Sequence, residues 1–219
     1  MYDLHTHTLL SDGELLPSEL VRRYKVLGYK AVAITDHIDE SNIELILPKI
    51  VSVCKKLTIK KGITVIPGAE LTHIPTKDIK GLVKKARALG AKLVLVHGET
   101  LAEPVVSGTN KRALQCDIDI LTHPGLITES DARLAAKNKI YLEITTRRGH
   151  AFTNGHVAKM AKLTGAKLIL NSDAHSPDDL LLPVVAEKIA QGAGLTKAQV
   201  AVMRKNSENI VKKILKNTN

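Results

Sequence analysis

The chain has 219 residues, 44% apolar and 25% charged, the proportions of an ordinary globular protein with room for one sizeable core. No apolar run approaches the roughly 18–20 residues that cross a bilayer, which excludes a membrane-spanning helix and a membrane partner. The 32 Lys and Arg against 22 Asp and Glu give a formal charge of +10. That charge admits an anionic partner, but four Tyr, one Phe and no Trp leave almost nothing on which bases could stack, so nucleic acid is not the favoured one.

The first apolar run begins at residue 2, leaving no room for a signal or transit peptide, so the expected compartment is the cytoplasm. Short runs rich in Val, Ile and Leu recur at 2–4, 31–35, 63–66, 93–96, 118–122, 140–144 and 168–170. Each is nearly continuous, the pattern of strands buried on both faces of a parallel sheet. Helical patterns lie between them. One opens at Pro17 and closes at Gly28, one covers 77–89 before Gly90, and one covers 129–137 after Thr128. Further helices cover 155–163 before Gly165, 178–190 after Pro177, and an amphipathic 207–216. Lys55, Lys56, Lys60, Lys61, Lys84, Lys85, Lys212 and Lys213 are spread through helical segments and read as solvated faces. Cys54 and Cys116 match no metal or redox spacing and read as reduced thiols. No linker interrupts the chain, so one domain over 1–219 is expected, with a core of 2–177 and C-terminal helices over 178–217.

Strands alternating with helices give a parallel α/β fold. An open doubly wound sheet usually carries a glycine-rich phosphate loop after its first strand. Here that strand runs into His5-Thr6-His7, so a closed barrel is expected. Of nine histidines, His5, His7, His37, His97, His123 and His175 fall at or just past a strand end, together with Asp36, Glu70 and Asp173, and with Asp12 in the loop after the first strand. In a parallel barrel all such positions share one rim. Imidazoles and carboxylates gathered there need something to neutralise and orient them, and divalent metal does both. His5-x-His7 projects two rings to one side of a strand, and Asp173-x-His175 makes a second same-side pair. Glu70 can bridge two cations, and His97 and His123 could complete a second site. No serine or cysteine stands out as a nucleophile.

These residues, in the motifs His5-Thr6-His7-Thr8, Ser11-Asp12-Gly13, Thr35-Asp36-His37, Gly68-x-Glu70, His97, Thr122-His123-Pro124 and Asn171-Ser172-Asp173-Ala174-His175, resemble the PHP (polymerase and histidinol phosphatase) family. The resemblance implies a distorted (β/α)7 TIM-like barrel with a centre of two to three divalent ions (Zn, Mn or Fe). It assigns His5, His7, Glu70 and Asp173 to one ion, Glu70, His97 and His123 to a second, and Asp12, His37 and His175 to a third. All nine positions hold competent ligands, which argues against a decayed scaffold such as the barrel-shaped protein subunit of RNase P.

The implied activity is hydrolysis of a small phosphomonoester by water activated between metals, with Glu70, Asp173 and His175 at the chemistry. Arg147 and Arg148 suit bidentate phosphate binding, and His150 joins them as a candidate substrate contact. His156 is a weaker candidate of the same kind. His73 is expected to line the rim without binding metal, Asp36 to orient ligands, and Lys111 and Arg112 to be solvated. The alternative activity is a phosphodiesterase or exonuclease acting on nucleotides or oligonucleotides. An amidohydrolase, which typically uses a modified lysine and eight strands, and a non-catalytic RNA-binding subunit fit less well.

Overall fold

The computed structural model describes residues 1–58 and 62–216. Lys60, Lys61 and the last position of the expected C-terminal helices, Asn217, lie outside them. The strands are β1 (Tyr2–Asp3), β2 (Ala31–Ile34), β3 (His37–Ile38), β4 (Thr64–Leu71), β5 (Leu93–His97), β6 (Ile120–Thr122), β7 (Tyr141–Thr145) and β8 (Leu168–Asn171). The helices are α1 (Pro17–Val26), α2 (Ile43–Leu57), α3 (Ile79–Ala88), α4 (Thr109–Ala113), α5 (Glu129–Asn138), α6 (Asn154–Thr164), α7 (Pro183–Gly192) and α8 (Lys197–Lys216). All pairings are parallel, in the order β1-β2-β4-β5-β6-β7-β8. β3 pairs with β4 in the register that β2 began, Ala31 against Thr64 and His37 against Glu70, so β2 and β3 are one strand line broken at Thr35-Asp36. The ring nearly closes where the chain beyond β8 meets the chain beyond β1. There Asp173 N donates to His5 O (3.0 Å) and His7 N donates to Ala174 O (2.9 Å). The result is the expected distorted seven-stranded α/β barrel.

Alternation along the strands sorts the core into two clusters. Val32, Ile34, Val65, Val94, Val96, Leu121 and Leu142 pack outward against the helices. Ala31, Ala33, Ile66, Leu93, Leu95, Ile120 and Ile169, with Leu4, fill the other face. Continuing that inner parity toward the strand ends gives Glu70, His97, Thr122, Glu143 and Asn171. An apolar plug therefore carries a polar layer directly above it at the C-terminal mouth. Ile210 and Val211 of α8 seal the plug from the opposite end, and Asn206 Nδ2 donates to Leu168 O at 2.8 Å.

Several boundaries differ from the sequence-based expectation. β4 runs on to Leu71, so Glu70 lies inside a strand. α2 was not expected; Ile43, Leu47, Ile50 and Cys54 have helical spacing, but Pro48 interrupts the pattern. Pro177 opens only a 3-10 turn over Pro177–Asp179, and the following helix starts at Pro183. α8 begins at Lys197, ten positions before the expected 207, because Val200 and Met203 are buried two turns and one turn earlier. Both cysteines are free thiols. Among the described residues no helix is long and apolar enough to cross a membrane.

Asp3 ties the first and last strands to α1. Its carboxyl accepts from Tyr24 Oη (2.9 Å), Ser172 N (3.2 Å) and His5 N (3.3 Å) while buried, and burial raises it above the usual carboxylate range. Tyr24→Phe removes the hydroxyl donor and leaves Asp3 Oδ2 without it. Urea unfolding should show a loss of about 1–3 kcal/mol; a midpoint unchanged from the parent protein would contradict this.

Candidate metal centre

The barrel mouth is built from strand ends and the first βα loop. His5 and His7 leave β1, His37 starts β3, Glu70 sits in β4, His97 ends β5, His123 follows β6, and Asp173 and His175 follow β8. Asp12 comes from the loop after β1. Asp36 holds that loop, accepting from Thr8 N (2.7 Å), Thr8 Oγ1 (2.9 Å) and Ser11 Oγ (2.8 Å). Asp36 thus fixes the loop that carries Asp12. Gly13 lets the loop cross the His7 backbone, since a Cβ there would lie 2.7 Å from the His7 carbonyl carbon.

The spacing of the polar atoms is the informative measurement. Around a tetrahedral ion with bonds of about 2.0–2.1 Å, neighbouring ligand atoms sit about 3.3 Å apart. His5 Nε2 is 3.1 Å from His7 Nε2, 3.2 Å from Glu70 Oε1 and 3.5 Å from Asp173 Oδ1. His7 Nε2 is 3.2 Å from Asp173 Oδ1 and 3.5 Å from Glu70 Oε2. A second polygon has the same edges. Asp12 Oδ1 is 3.3 Å from His175 Nε2 and 3.5 Å from His37 Nε2, and the two imidazole nitrogens are 3.5 Å apart. His123 Nε2 lies 3.6 Å from both Glu70 Oε1 and Asp173 Oδ2. His97, His123 and His150 form a further group whose nitrogens lie within 4.8 Å of one another.

Electrostatics supports the same reading. His7 Nδ1, Glu70 Oε2, His97 Nδ1, His123 Nδ1 and Asp173 Oδ1 are buried without hydrogen-bond partners, a costly state for polar atoms that share no proton. Burial opposes ionisation of Glu70, yet His5 and His37 hold its carboxyl well below the usual range. Burial pushes Asp173 up to about 6; His5 pulls the other way, and Glu70 and Glu143 add to the rise. Burial would lower His5, but the carboxylates of Glu143, Glu70 and Asp173 outweigh it and hold the ring well above its ordinary value. Burial and adjacent imidazoles drive His7 and His123 well below theirs. Asp173, His123 and His73 occupy the left-handed backbone region at φ 55°, 23° and 52°, strain of about 1–3 kcal/mol each that the surrounding structure sustains. Buried nitrogens and carboxylate oxygens at ion-cage spacing fit a divalent transition metal.

Of the other expected residues, Arg147 reaches the centre. Its Nη1 donates to Asp173 O (3.3 Å) and Asp179 Oδ2 (3.4 Å), and its Nε is 3.8 Å from Asp173 Oδ2. Arg148 is exposed on the same loop. His150 is buried against His97 and His123, beside the candidate ligands. His73 is half-exposed on the rim and touches Glu103, while His156 Nε2 bonds Ile127 O at 2.8 Å and serves the loop. Lys111 is exposed, but Arg112 is not simply solvated: its Nε donates to Thr76 O at 3.2 Å.

Two carboxylates escaped the sequence reading. Glu143 Oε1 accepts from His5 Nδ1 and Asn171 Nδ2, each at 2.8 Å, and its Oε2 accepts from His123 N at 3.1 Å. An ionisable residue inside the apolar run 140–144 was the available signal. Glu103 meets His97 Nε2 (3.2 Å), His150 Nε2 (3.3 Å) and His73 Nε2 (3.3 Å) from a loop that carries no pattern.

The PHP domain model matches residues 3–139. An uncharacterised protein of Methanocaldococcus jannaschii is 49% identical over 203 residues, 91% of this chain and 92% of that protein. A probable phosphatase of Shewanella halifaxensis is 27% identical, with coverage of 88% and 84%. Ribonuclease P protein component 3 of Methanosarcina barkeri is also 27% identical, with coverage of 89% and 81%. Among solved structures, a chain of archaeal ribonuclease P with mature tRNA shares the fold at a TM-score of 0.70 and 17% identity, covering 96% of this chain and 90% of its own.

Glu143 fixes the His5 ring by accepting its Nδ1–H, leaving Nε2 for an ion. A glutamine there offers one oxygen for three donors and turns its amide toward one of them. Glu143→Gln should weaken zinc binding by about 10–100-fold in a chelator competition titration. Affinity within twofold of the parent would remove this role.

Proposed function

The chain belongs to the PHP domain family, and on that premise we propose that it is a metal-dependent phosphoesterase hydrolysing a small phosphomonoester. The observation that carries the reading is the set of ligand polygons at the mouth, with edges of 3.1–3.5 Å around His5, His7, Glu70 and Asp173 and around Asp12, His37 and His175. His97 and His123 supply a second ion, with Glu70 shared between it and the first. The probable phosphatase among the relatives supports the same class. Zinc, manganese or iron suits these donors. When bound, such ions supply Lewis acidity toward phosphate oxygens and bring water's pKa toward neutrality.

The chain's own groups do the remaining work. Glu70, Asp173 and His175 stand nearest the reacting atoms and set the charge of the centre. Arg147 is anchored through Nη1 to the Asp173 carbonyl and Asp179, so its guanidinium is pre-placed beside Asp173. It remains about a quarter exposed, so its free N–H groups can meet a phosphate at the mouth. Arg148, exposed on the same loop, contributes at most long-range attraction.

A panel of phosphomonoesters and diesters, assayed with chelator-stripped and metal-reconstituted protein, tests the proposal. Monoester turnover should require metal, and full activity in metal-free protein would end the reading. Arg147→Ala should keep its metal and lose about 1.5–3 kcal/mol of substrate interaction, roughly 10- to 150-fold in kcat/KM, with Arg147→Lys recovering only part. Kinetic constants within twofold of the parent would show that phosphate is held without it.

One observation favours a second reading, an RNA-binding subunit, for which the ribonuclease P relative is the precedent. At the opposite end of the barrel a groove of about 640 Å³ is lined by Lys92, Lys139, Lys167 and Lys213, and among the described residues none of these four makes an ion pair. The phosphoesterase reading predicts that Lys139→Glu with Lys167→Glu leaves monoester turnover unchanged. Tight, salt-dependent RNA binding that this double variant abolishes, without measurable hydrolysis in the parent, would instead favour the subunit.

A further inference from the structure

The sequence pattern supplies His97 and His123 to the second ion and gives His150 a place among substrate contacts. The structure shows His150 against the two candidate ligands. It is 5% exposed, in the 3-10 turn His150–Thr153, with its ring centroid 4.2 Å from His123 and 5.9 Å from His97. Each of the three rings offers one nitrogen, and those nitrogens lie within 4.8 Å of one another. His97 Nδ1 and His123 Nδ1 are buried with no hydrogen-bond partner.

The orientation of His150 is specified by its neighbours. Thr100 Oγ1 lies 2.9 Å from His150 Nδ1 and also accepts from Ala102 N at 3.2 Å. With Nδ1 engaged by the hydroxyl, Nε2 is the nitrogen that meets Glu103. The same carboxylate meets both rings, Glu103 Oε1 at 3.3 Å from His150 Nε2 and Oε2 at 3.2 Å from His97 Nε2, so the two nitrogens face a common region. Gly149 allows the turn to sit this close, at φ 80° with a Cβ position 3.2 Å from Ala102 Cβ. The loop after β5 and the loop after β7 are thus docked through Thr100, Ala102, Gly149 and His150.

We propose that His150 is a ligand of the second ion, which is then held by the imidazoles of His97, His123 and His150 together with the shared Glu70, with Thr100 as the positioning residue. This rests on the metal reading above and extends it to a tenth ligand. His150 would add a third neutral donor beside His97 and His123 without adding charge, whereas the first polygon offers its ion the carboxylates of both Glu70 and Asp173.

The test is metal binding rather than turnover. Chelator-stripped protein is titrated with Co²⁺, with bound equivalents counted by elemental analysis and the ligand set followed in the visible spectrum. His150→Ala should lose one tightly bound equivalent and keep the others, whose retention shows that the fold stands. Thr100→Val, nearly isosteric, should keep the full number but weaken that one site by about 10–100-fold. Full stoichiometry with affinity within twofold of the parent in His150→Ala would overturn the proposal, as would loss of every ion, which would make His150 a structural residue. Parent protein that binds no metal at all would end the phosphoesterase reading itself, a failure distinct from either.

Discussion

Two carboxylates that cannot be buried alone govern this molecule. Glu70 is fully buried and Asp173 nearly so, and both approach the same pair of imidazoles, His5 and His7. Removing one such charge from water costs several kcal/mol even after relaxation, and mutual repulsion adds to it. The barrel meets the cost with histidines; behind them Glu143, a further buried carboxylate, fixes His5 and accepts from Asn171 while adding to the negative charge of the site. A divalent ion would complete the balance in a way that protons on the histidines can only approximate, because the nitrogens and carboxylate oxygens approach one another within 3.1–3.5 Å.

The rest of the fold serves that point. Parity along the strands keeps apolar side chains below and polar ones above, so the mouth is assembled without any long insertion. Closure between the chain after β8 and the chain after β1 brings Asp173 to His5 and His7 through backbone hydrogen bonds, not side-chain packing alone. The left-handed backbone at Asp173 and His123 turns each side chain inward immediately past its strand. Strand ends therefore set most of the candidate ligand positions, and Asp12, half-exposed, comes from the loop that Asp36 holds.

Much of this was legible in the sequence, for definite reasons. His5-x-His7 and Asp173-x-His175 announce themselves because period-two spacing survives the fold, and Glu70, His97 and His123 because strand ends in a parallel barrel share a rim. Glu143 was less visible: it stands mid-strand, where an apolar run hides one carboxylate. Glu103 and the docking of His150 were illegible, since they depend on two loops meeting across the mouth. α2 was obscured by Pro48 and the early start of α8 by a stretch with only two buried apolar positions, Val200 and Met203. The paired arginines looked equivalent in sequence, whereas Asp179 and the Asp173 carbonyl select Arg147 alone.

Anomalous diffraction from crystals of metal-reconstituted protein, recorded on both sides of the metal absorption edge, locates ions without reference to activity. Expected are peaks enclosed by His5, His7, Glu70 and Asp173 and by Asp12, His37 and His175, with a further peak beside His97 and His123. A map with no peak inside the first polygon, from protein shown to be saturated with metal, would contradict the ion cage on which the functional reading depends.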